Sequence, residues 1–352
     1  MDYTSAYGIH TLSFSKTLTA GEYYQILHSA QKQGMHIRSD DDFFAVTSSH
    51  TLLGYQKQGI VVYLSQPKRS IYKVKLRIEP ERLLGNPDPQ ALWQCKKGSW
   101  KQLVNAADNL LNLMQIPSLG EMKLSTMEMT VNLTMQKQEH VDTYLGILKN
   151  GYLNGHYRRV QFNKQSMKAR NAQEANRHSY KASCKQKSFF AYDKTAQLLM
   201  TERIAKLPNH RTLRMEISLK REGIKREFGS GLSAKAYLEK GSSQAQKVVG
   251  KFLKRLLLSE GDYYPYDQAL ERVQQIKGAK TRQRAELLIQ LCSRKKSVDQ
   301  AVKAMQEEYG VKRSAVDRVI RKMEKAGISP ITVPIRRHAQ PLPSLLKVLK
   351  ED

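Results

Sequence analysis

Tyr192 stands in Phe189-Phe190-Ala191-Tyr192-Asp193-Lys194-Thr195, where a predicted strand over 188–193 enters a polar stretch. A phenol with a pKa of ~10 is a weak nucleophile at neutral pH. It becomes useful where a metal or a lysine stabilises the phenolate, or where bond energy is conserved, as in attack on a phosphodiester. Lys194 lies two residues on and shares a face with Tyr192 if the strand continues. The chain has 17 tyrosines, so residue type alone favours a tyrosine packed at a sheet edge.

Glu128 and Glu216 are each flanked by apolar residues, in Met127-Glu128-Met129 and Met215-Glu216-Ile217. Alternation along a strand turns those neighbours away, so Glu128 shares a face with Thr126 and Thr130, and Glu216 with Arg214 and Ser218. Paired carboxylates suit a hard cation such as Mg²⁺, completed by water and substrate phosphate. An Arg–Glu ladder on a solvated sheet face accounts for them equally well. The nine histidines are scattered without a His-x-His pair; His156, in Gly155-His156-Tyr157-Arg158-Arg159, is a conceivable DNA-contact residue. No GxxxxGK[ST] loop is present, which argues against built-in ATP-driven unwinding. No Ser/His/Asp arrangement stands out.

The chain of 352 residues carries a net charge of +27 and is 40% hydrophobic. That length can bury a real core and predicts two or three domains. The charge points to a polyanionic partner, nucleic acid first and an anionic membrane surface second. No apolar run approaches the ~18–20 residues of a membrane span, and the N-terminus lacks a secretory pattern. Three cysteines (Cys95, Cys184, Cys292) lie far apart with no CxxC, which fits a reducing compartment and offers no zinc site.

Strands are predicted over 10–15, 59–64, 71–78, 125–133, 156–162, 188–193 and 212–220, and helices over 19–32, 100–114 and 140–149. Thr19 and Glu22 have the spacing of a capping box. Residues 163–187 are polar and basic and read as a loop. Two rounds of strand–helix–strand predict an α+β domain with a mainly antiparallel sheet and flanking helices. After Gly229 the pattern turns helical, with helices over 232–239, 244–258 and 265–276 and a basic stretch over 277–284. Ser297 then caps a helix carrying Val298, Ala301, Val302 and Met305. Tyr309-Gly310-Val311 makes a turn, and a second helix from Ser314 turns Val316, Val319, Ile320 and Met323 inward. Helix, glycine turn and basic helix form the pattern of a helix-turn-helix; an ordinary helical hairpin with a solvated charged face is the alternative. The expected organisation is a sheet domain over 1–230, a helical connector over 231–277, a helix-turn-helix module over 278–336 and a basic tail over 337–352.

Four stretches, in order, carry a resemblance: Val74 to Gly85, Ser125-Thr-Met-Glu128-Met-Thr-Val131, Ala191-Tyr192-Asp193-Lys194, and Leu213-Arg214-Met215-Glu216-Ile-Ser-Leu-Lys220. With the segment from Lys312 to Ile328, the chain resembles the filamentous-phage gene II/X replication proteins. It resembles more distantly the rolling-circle initiators of small plasmids, which belong to the HUH-like nucleases. Two departures stand out: Thr126-Met127-Glu128 replaces the commoner Arg-x-Asp, and Met215 replaces an aromatic. The His-hydrophobic-His metal motif of the wider class is absent. The resemblance implies a Rep-like nuclease fold, Tyr192 as the nicking tyrosine, and a 5′-phosphotyrosyl intermediate. It also implies a 3′-OH primer and later rejoining of the displaced strand. Glu128 and Glu216 are then ligands for Mg²⁺ or Mn²⁺, and Lys194, Lys220 and Arg214 hold phosphate or stabilise the phenolate. Arg313, Arg318 and Lys322 contact origin DNA. A host helicase and polymerase in the bacterial cytoplasm would be partners, and no membrane is involved. Tyr157 and Tyr180 are available as second transfer tyrosines. A non-catalytic origin binder or repressor, or a conjugative relaxase with the same chemistry, shares most of these features.

Overall fold

The computed structural model describes residues 3–42, 47–68, 70–153, 155–161, 169–201, 203–333 and 340–350. Ten strands form one sheet. They are β1 (Thr4–Leu18), β2 (Ile37–Asp42), β3 (Thr47–Leu52), β4 (Ile60–Lys68), β5 (Ile71–Ile78), β6 (Lys123–Met135), β7 (Arg158–Val160), β8 (Ser179–Ser183), β9 (Lys187–Asp193) and β10 (Arg211–Lys220). The helices through the sheet region are α1 (Ala20–Lys32), the single turn α2 (Pro80–Leu83), α3 (Ser99–Leu111), α4 (Gln138–Asn150), α5 (Ala169–Arg177), α6 (Lys194–Met200) and α7 (Arg221–Phe228). They are followed by α8 (Ala234–Ser243), α9 (Ala245–Leu257), α10 (Tyr266–Val273), α11 (Ala279–Lys295), α12 (Val298–Glu307), α13 (Arg313–Lys325) and the short α14 (Leu345–Val348). The α+β expectation with a large antiparallel sheet holds.

The strand order is β2-β3-β4-β5-β1-β6-β10-β9-β8-β7. Outward from the centre, each side runs first strand, last strand, then backwards through the others. Each half is thus one strand, one helix and a four-strand meander: β1-α1-β2-β3-β4-β5, then β6-α4-β7-β8-β9-β10 with the shorter α5 and α6 inserted. The repeat of pattern in the sequence is a repeat of topology. Antiparallel register fixes which side chains share a face. Leu12 pairs with Ile78 and Phe14 with Leu76 across β1 and β5, and Val62 pairs with Leu76 across β4 and β5. Central strands are covered on both faces, so β10 is buried along nearly its whole length and reads as a continuous run rather than an alternation.

The chain forms two compact units that are not contiguous in sequence. One comprises Tyr7–Thr130 and Ile217–Gln246. Its core holds Leu12, Phe14, Tyr23, Ile26, Val62, Val74, Leu76 and Leu103, all essentially inaccessible to water. Helix α1 starts with the predicted capping box: Thr19 Oγ1 accepts from Glu22 N–H, and the Glu22 carboxylate accepts from Thr19 N–H. Those bonds hold the Glu22 carboxyl below its usual range. Thr19→Ala should lower the stability of this unit by about 1 kcal/mol in urea unfolding.

The other unit comprises Met1–Ala6, Val131–Glu216 and Lys247–Asp352. Here α4 packs on β8 and β9, and the rings of Phe189 and Phe252 stack with centroids 4.4 Å apart. Helices α11, α12 and α13 pack on one another. Asp262 N–H donates to Gly327 O and Ser329 N–H donates to Asp262 O. That exchange brings the backbone at Gly261 so close to Ile328 and Ser329 that a Cβ would collide with main-chain atoms. Gly261→Ala should therefore cost roughly 1–3 kcal/mol, read as a lowered urea midpoint.

Several sequence expectations need correction. The loop expected over 163–187 contains α5 and β8 and the start of β9; its residues 163–168 lie outside those described, as does Phe162 of the strand expected over 156–162. Within the basic stretch 277–284, Ala279 opens α11 after Gly278 at φ +98°, a helix that the sequence reading did not assign. The β2–β3 hairpin was missed because Ile37–Asp42 is nearly all polar, and such a strand shows no apolar alternation.

Candidate active site

Glu216 and Tyr192 lie on β10 and β9, and Glu128 and His10 on β6 and β1. Tyr192 Oη donates to Glu216 Oε1 at 3.0 Å. The phenol is 5% exposed and Glu216 is 7% exposed. Arg214 is wholly buried, and its Nε donates to Asn132 Oδ1 at 2.7 Å. The Tyr192 pKa is pushed well above the usual phenol value. Burial is the main cause, Glu216 adds to it, and the Arg214 cation partly opposes it. A buried neutral phenol donating to a carboxylate is thus the resting state.

His10 Nδ1 lies 3.9 Å from Glu128 Oε2, both side chains being partly exposed. An imidazole beside a carboxylate is a donor pair that suits Mn²⁺, and Mg²⁺ less well because of the nitrogen donor.

Among the expected site residues, Glu216 and Tyr192 are joined by their hydrogen bond in one unit, and Glu128 lies beside His10 in the other. Lys194 differs. Strand β9 stops at Asp193, whose Oδ1 accepts from Ala196 N–H and starts α6. Lys194 is therefore the first helical residue, 1% exposed, with Nζ donating to Gln197 Oε1 at 2.8 Å. It does not continue the face of Tyr192. Arg214, expected on phosphate, is shut off from solvent and belongs to the buried support of the site. Lys220 is exposed at the end of β10. Tyr180 pairs with Ala191 and Ser179 with Tyr192, so Tyr180 points to the opposite sheet face from Tyr192. Tyr157 packs its ring on Phe252 with centroids 5.4 Å apart. His156 lies in the turn before β7, 28 residues or more from any other residue of the site along the chain.

His10 is the residue that sequence reasoning passed over. It stands in the predicted strand 10–15, but no second histidine or carboxylate adjoins it there, and only the pairing of β1 into the centre of the sheet gives it partners.

In the C-terminal helices, Gly310 adopts φ +63° in the turn and Val311 N–H donates to Met305 O. Arg318 and Lys322 are exposed. Arg313 is half-buried: its Nε donates to Asp317 Oδ1 at 2.9 Å, and its guanidinium lies over the Tyr152 ring, 5.0 Å from the centroid. That engagement fixes the start of α13 and withdraws Arg313 from the outward basic face. Among the described residues no helix is long and apolar enough to cross a membrane. In comparisons with known proteins, no family model matches the chain and no curated protein matches it significantly.

Proposed function

We propose that this chain is a replication initiator that nicks one DNA strand through Tyr192 and later rejoins it, using a divalent cation for which the resemblance names Glu128 and Glu216 as ligands. The observation that carries this reading is the Tyr192 Oη–Glu216 hydrogen bond at 3.0 Å, made to a carboxylate that the resemblance makes a metal ligand. The resemblance to the gene II/X replication proteins supplies the reaction, the HUH-like assignment of the sheet and the origin-binding role of the C-terminal helices. The bacterial cytoplasm, with a host helicase and polymerase, is the setting this implies.

In the nicking step, Glu216 takes the phenolic proton as Tyr192 Oη attacks phosphorus. The P–Oη bond forms, the P–O3′ bond breaks, and the leaving 3′ oxygen takes a proton from water to give the primer end. The phosphodiester energy is kept in the 5′-phosphotyrosyl ester, so a second attack by a 3′-OH rejoins the strand without ATP or another energy source. A bound cation would neutralise the scissile phosphate and offset the charge of the two carboxylates. Arg214, fixed on Asn132, already lowers the cost of a negative Oη from below.

The burial of the phenol sets the substrate. A phosphate in a stiff duplex is hard to bring to a buried phenol, whereas a melted or hairpin-loop strand can be drawn in. Single-stranded or negatively supercoiled DNA should therefore be cut, and relaxed linear duplex should not. The same burial favours the second reading, a non-catalytic origin binder or repressor in which Tyr192 only orients Glu216. A conjugative relaxase shares the chemistry and differs in the DNA it meets. The deciding experiment incubates the full chain with Mn²⁺ and a supercoiled plasmid carrying its own coding region and flanking DNA. Nicked circles with protein covalently attached support the initiator. Bound but unbroken DNA supports the binder.

Helix α13 acts as the recognition helix of a helix-turn-helix in this reading. Arg318→Gln with Lys322→Gln should weaken DNA binding and reduce the slope of log affinity against log salt by about 0.9 per lost phosphate contact. Fluorescence anisotropy across a salt series measures both.

A further inference from the structure

A second cluster of ligand-type side chains lies away from Glu216. Asp142 comes from α4, Asp193 from the end of β9, and His178 from the residue before β8. One ligand atom from each lies within 4.8 Å of the others. The imidazole is oriented from behind: His178 Nε2 lies 3.0 Å from Glu174 Oε1 on α5. A carboxylate only accepts, so the ring proton is assigned to Nε2 and the Nδ1 lone pair faces the two aspartates. His178 Nδ1 is sealed from solvent, has no hydrogen-bond partner, and lies 3.9 Å from Asp142 Oδ1.

The aspartates are also held in place. Gln138 Nε2 donates to Asp193 Oδ2 at 2.6 Å and to Asp142 Oδ1 at 3.2 Å. Asp193 is 2% exposed, and its other oxygen caps α6. Two carboxylates gathered beside a buried, unfilled lone pair are mutually repulsive and incompletely satisfied. The chain has a net charge of +27, yet among the described residues no lysine or arginine is ion-paired to either aspartate. Gathering them in this way makes sense if a cation completes the set. A carboxylate behind a ligating histidine is the usual outer support of a metal site. Asp142 also lines a cavity of about 970 Å³, together with Glu139, Lys149, Arg177 and Lys296. Through it an ion could take water or a phosphate oxygen as further ligands.

The geometry points to a second divalent-cation site at His178, Asp142 and Asp193, with Glu174 as a positioning residue. The imidazole donor favours Mn²⁺ or a later transition metal over Mg²⁺. This site stands on its own geometry and does not depend on the nicking reaction.

The test measures Mn²⁺ binding to the full chain by calorimetry and by electron paramagnetic resonance of the free ion, with no DNA present. In a Glu128→Gln, Glu216→Gln background, one Mn²⁺ per chain should remain bound. Adding His178→Gln should weaken that binding at least tenfold, and adding Glu174→Gln should weaken it by about 10–100-fold. Asp142→Asn, on a half-exposed helix face, gives the same loss without touching the cap of α6 and serves where His178→Gln lowers folding. Retention of Mn²⁺ with unchanged affinity in both the His178 and Asp142 variants would overturn the site, as would no bound Mn²⁺ in the folded background protein. Loss of strand nicking in the Glu128, Glu216 background bears only on the first site.

Discussion

Under the proposed function, Tyr192→Phe should lower strand nicking by at least about a thousandfold while leaving DNA binding intact. The substitution deletes one oxygen from a ring that keeps its stacking on Phe190, 4.6 Å between centroids. Packing is preserved, and the hydrogen bond to Glu216 and the nucleophile are lost together. Loss of a covalent nucleophile typically removes several orders of magnitude from turnover, because no nearby group substitutes for it. Among the described residues, Tyr180 is the nearest tyrosine in the paired strand, and it faces the other side of the sheet. The measurement is the initial rate of nicked-circle formation with Mn²⁺, alongside affinity for the same DNA. A rate within tenfold of the parent would assign Tyr192 to orienting Glu216 and leave the chain a binder or a hydrolase acting through water.

Arg214→Ala should be the most destabilising single change in this region, lowering stability by about 3–5 kcal/mol. Three effects act in one direction. The guanidinium is wholly buried, so alanine leaves a large cavity. Asn132 Oδ1 loses its donor. The cation whose field opposes the negative charge of Glu216 at Tyr192 disappears. Urea unfolding followed by circular dichroism gives the midpoint shift, and a change below about 1 kcal/mol would mean that the buried charge is supported by other groups. Arg214→Met fills much of the same volume without charge. If the cavity dominates, it should recover most of the loss; if the charge dominates, it should not.

These effects rest on features that were unevenly legible in the sequence. Glu128 and Glu216 were found because an acidic residue inside an apolar strand breaks the pattern its neighbours set. Helices with strong local signals were also readable. The Thr19–Glu22 box and Ser297, whose Oγ accepts from Gln300 N–H, mark the starts of α1 and α12 as expected. Arg214 was harder. An arginine in a strand of a basic chain reads as a phosphate contact, and its burial follows only from β10 lying between β6 and β9. The fate of Lys194 depended on whether Asp193 capped a helix, a choice between local hydrogen bonds that alternation does not encode. His10 and the His178 cluster were invisible for a third reason. Glu128 lies more than a hundred positions from His10, Asp142 and Asp193 come from a different helix and strand than His178, and only the tertiary fold unites them. The topological repeat was seen as two rounds of strand and helix, but the four-strand meander in each half was not, because β2 and β3 are largely polar and β8 lies in a stretch that reads as a polar, basic loop.

The most direct measurement uses trypsin and mass spectrometry on protein trapped with single-stranded DNA and Mn²⁺. Cleavage after Lys187 and Lys194 releases Ser188–Lys194, whose single tyrosine is Tyr192, while Tyr180 is released separately in His178–Lys181. The account predicts a nucleotide joined through phosphate to the Ser188–Lys194 peptide, absent without the cation and absent in Glu216→Gln. A phosphonucleotide on any other peptide, or cut DNA with no adduct at all, would contradict it.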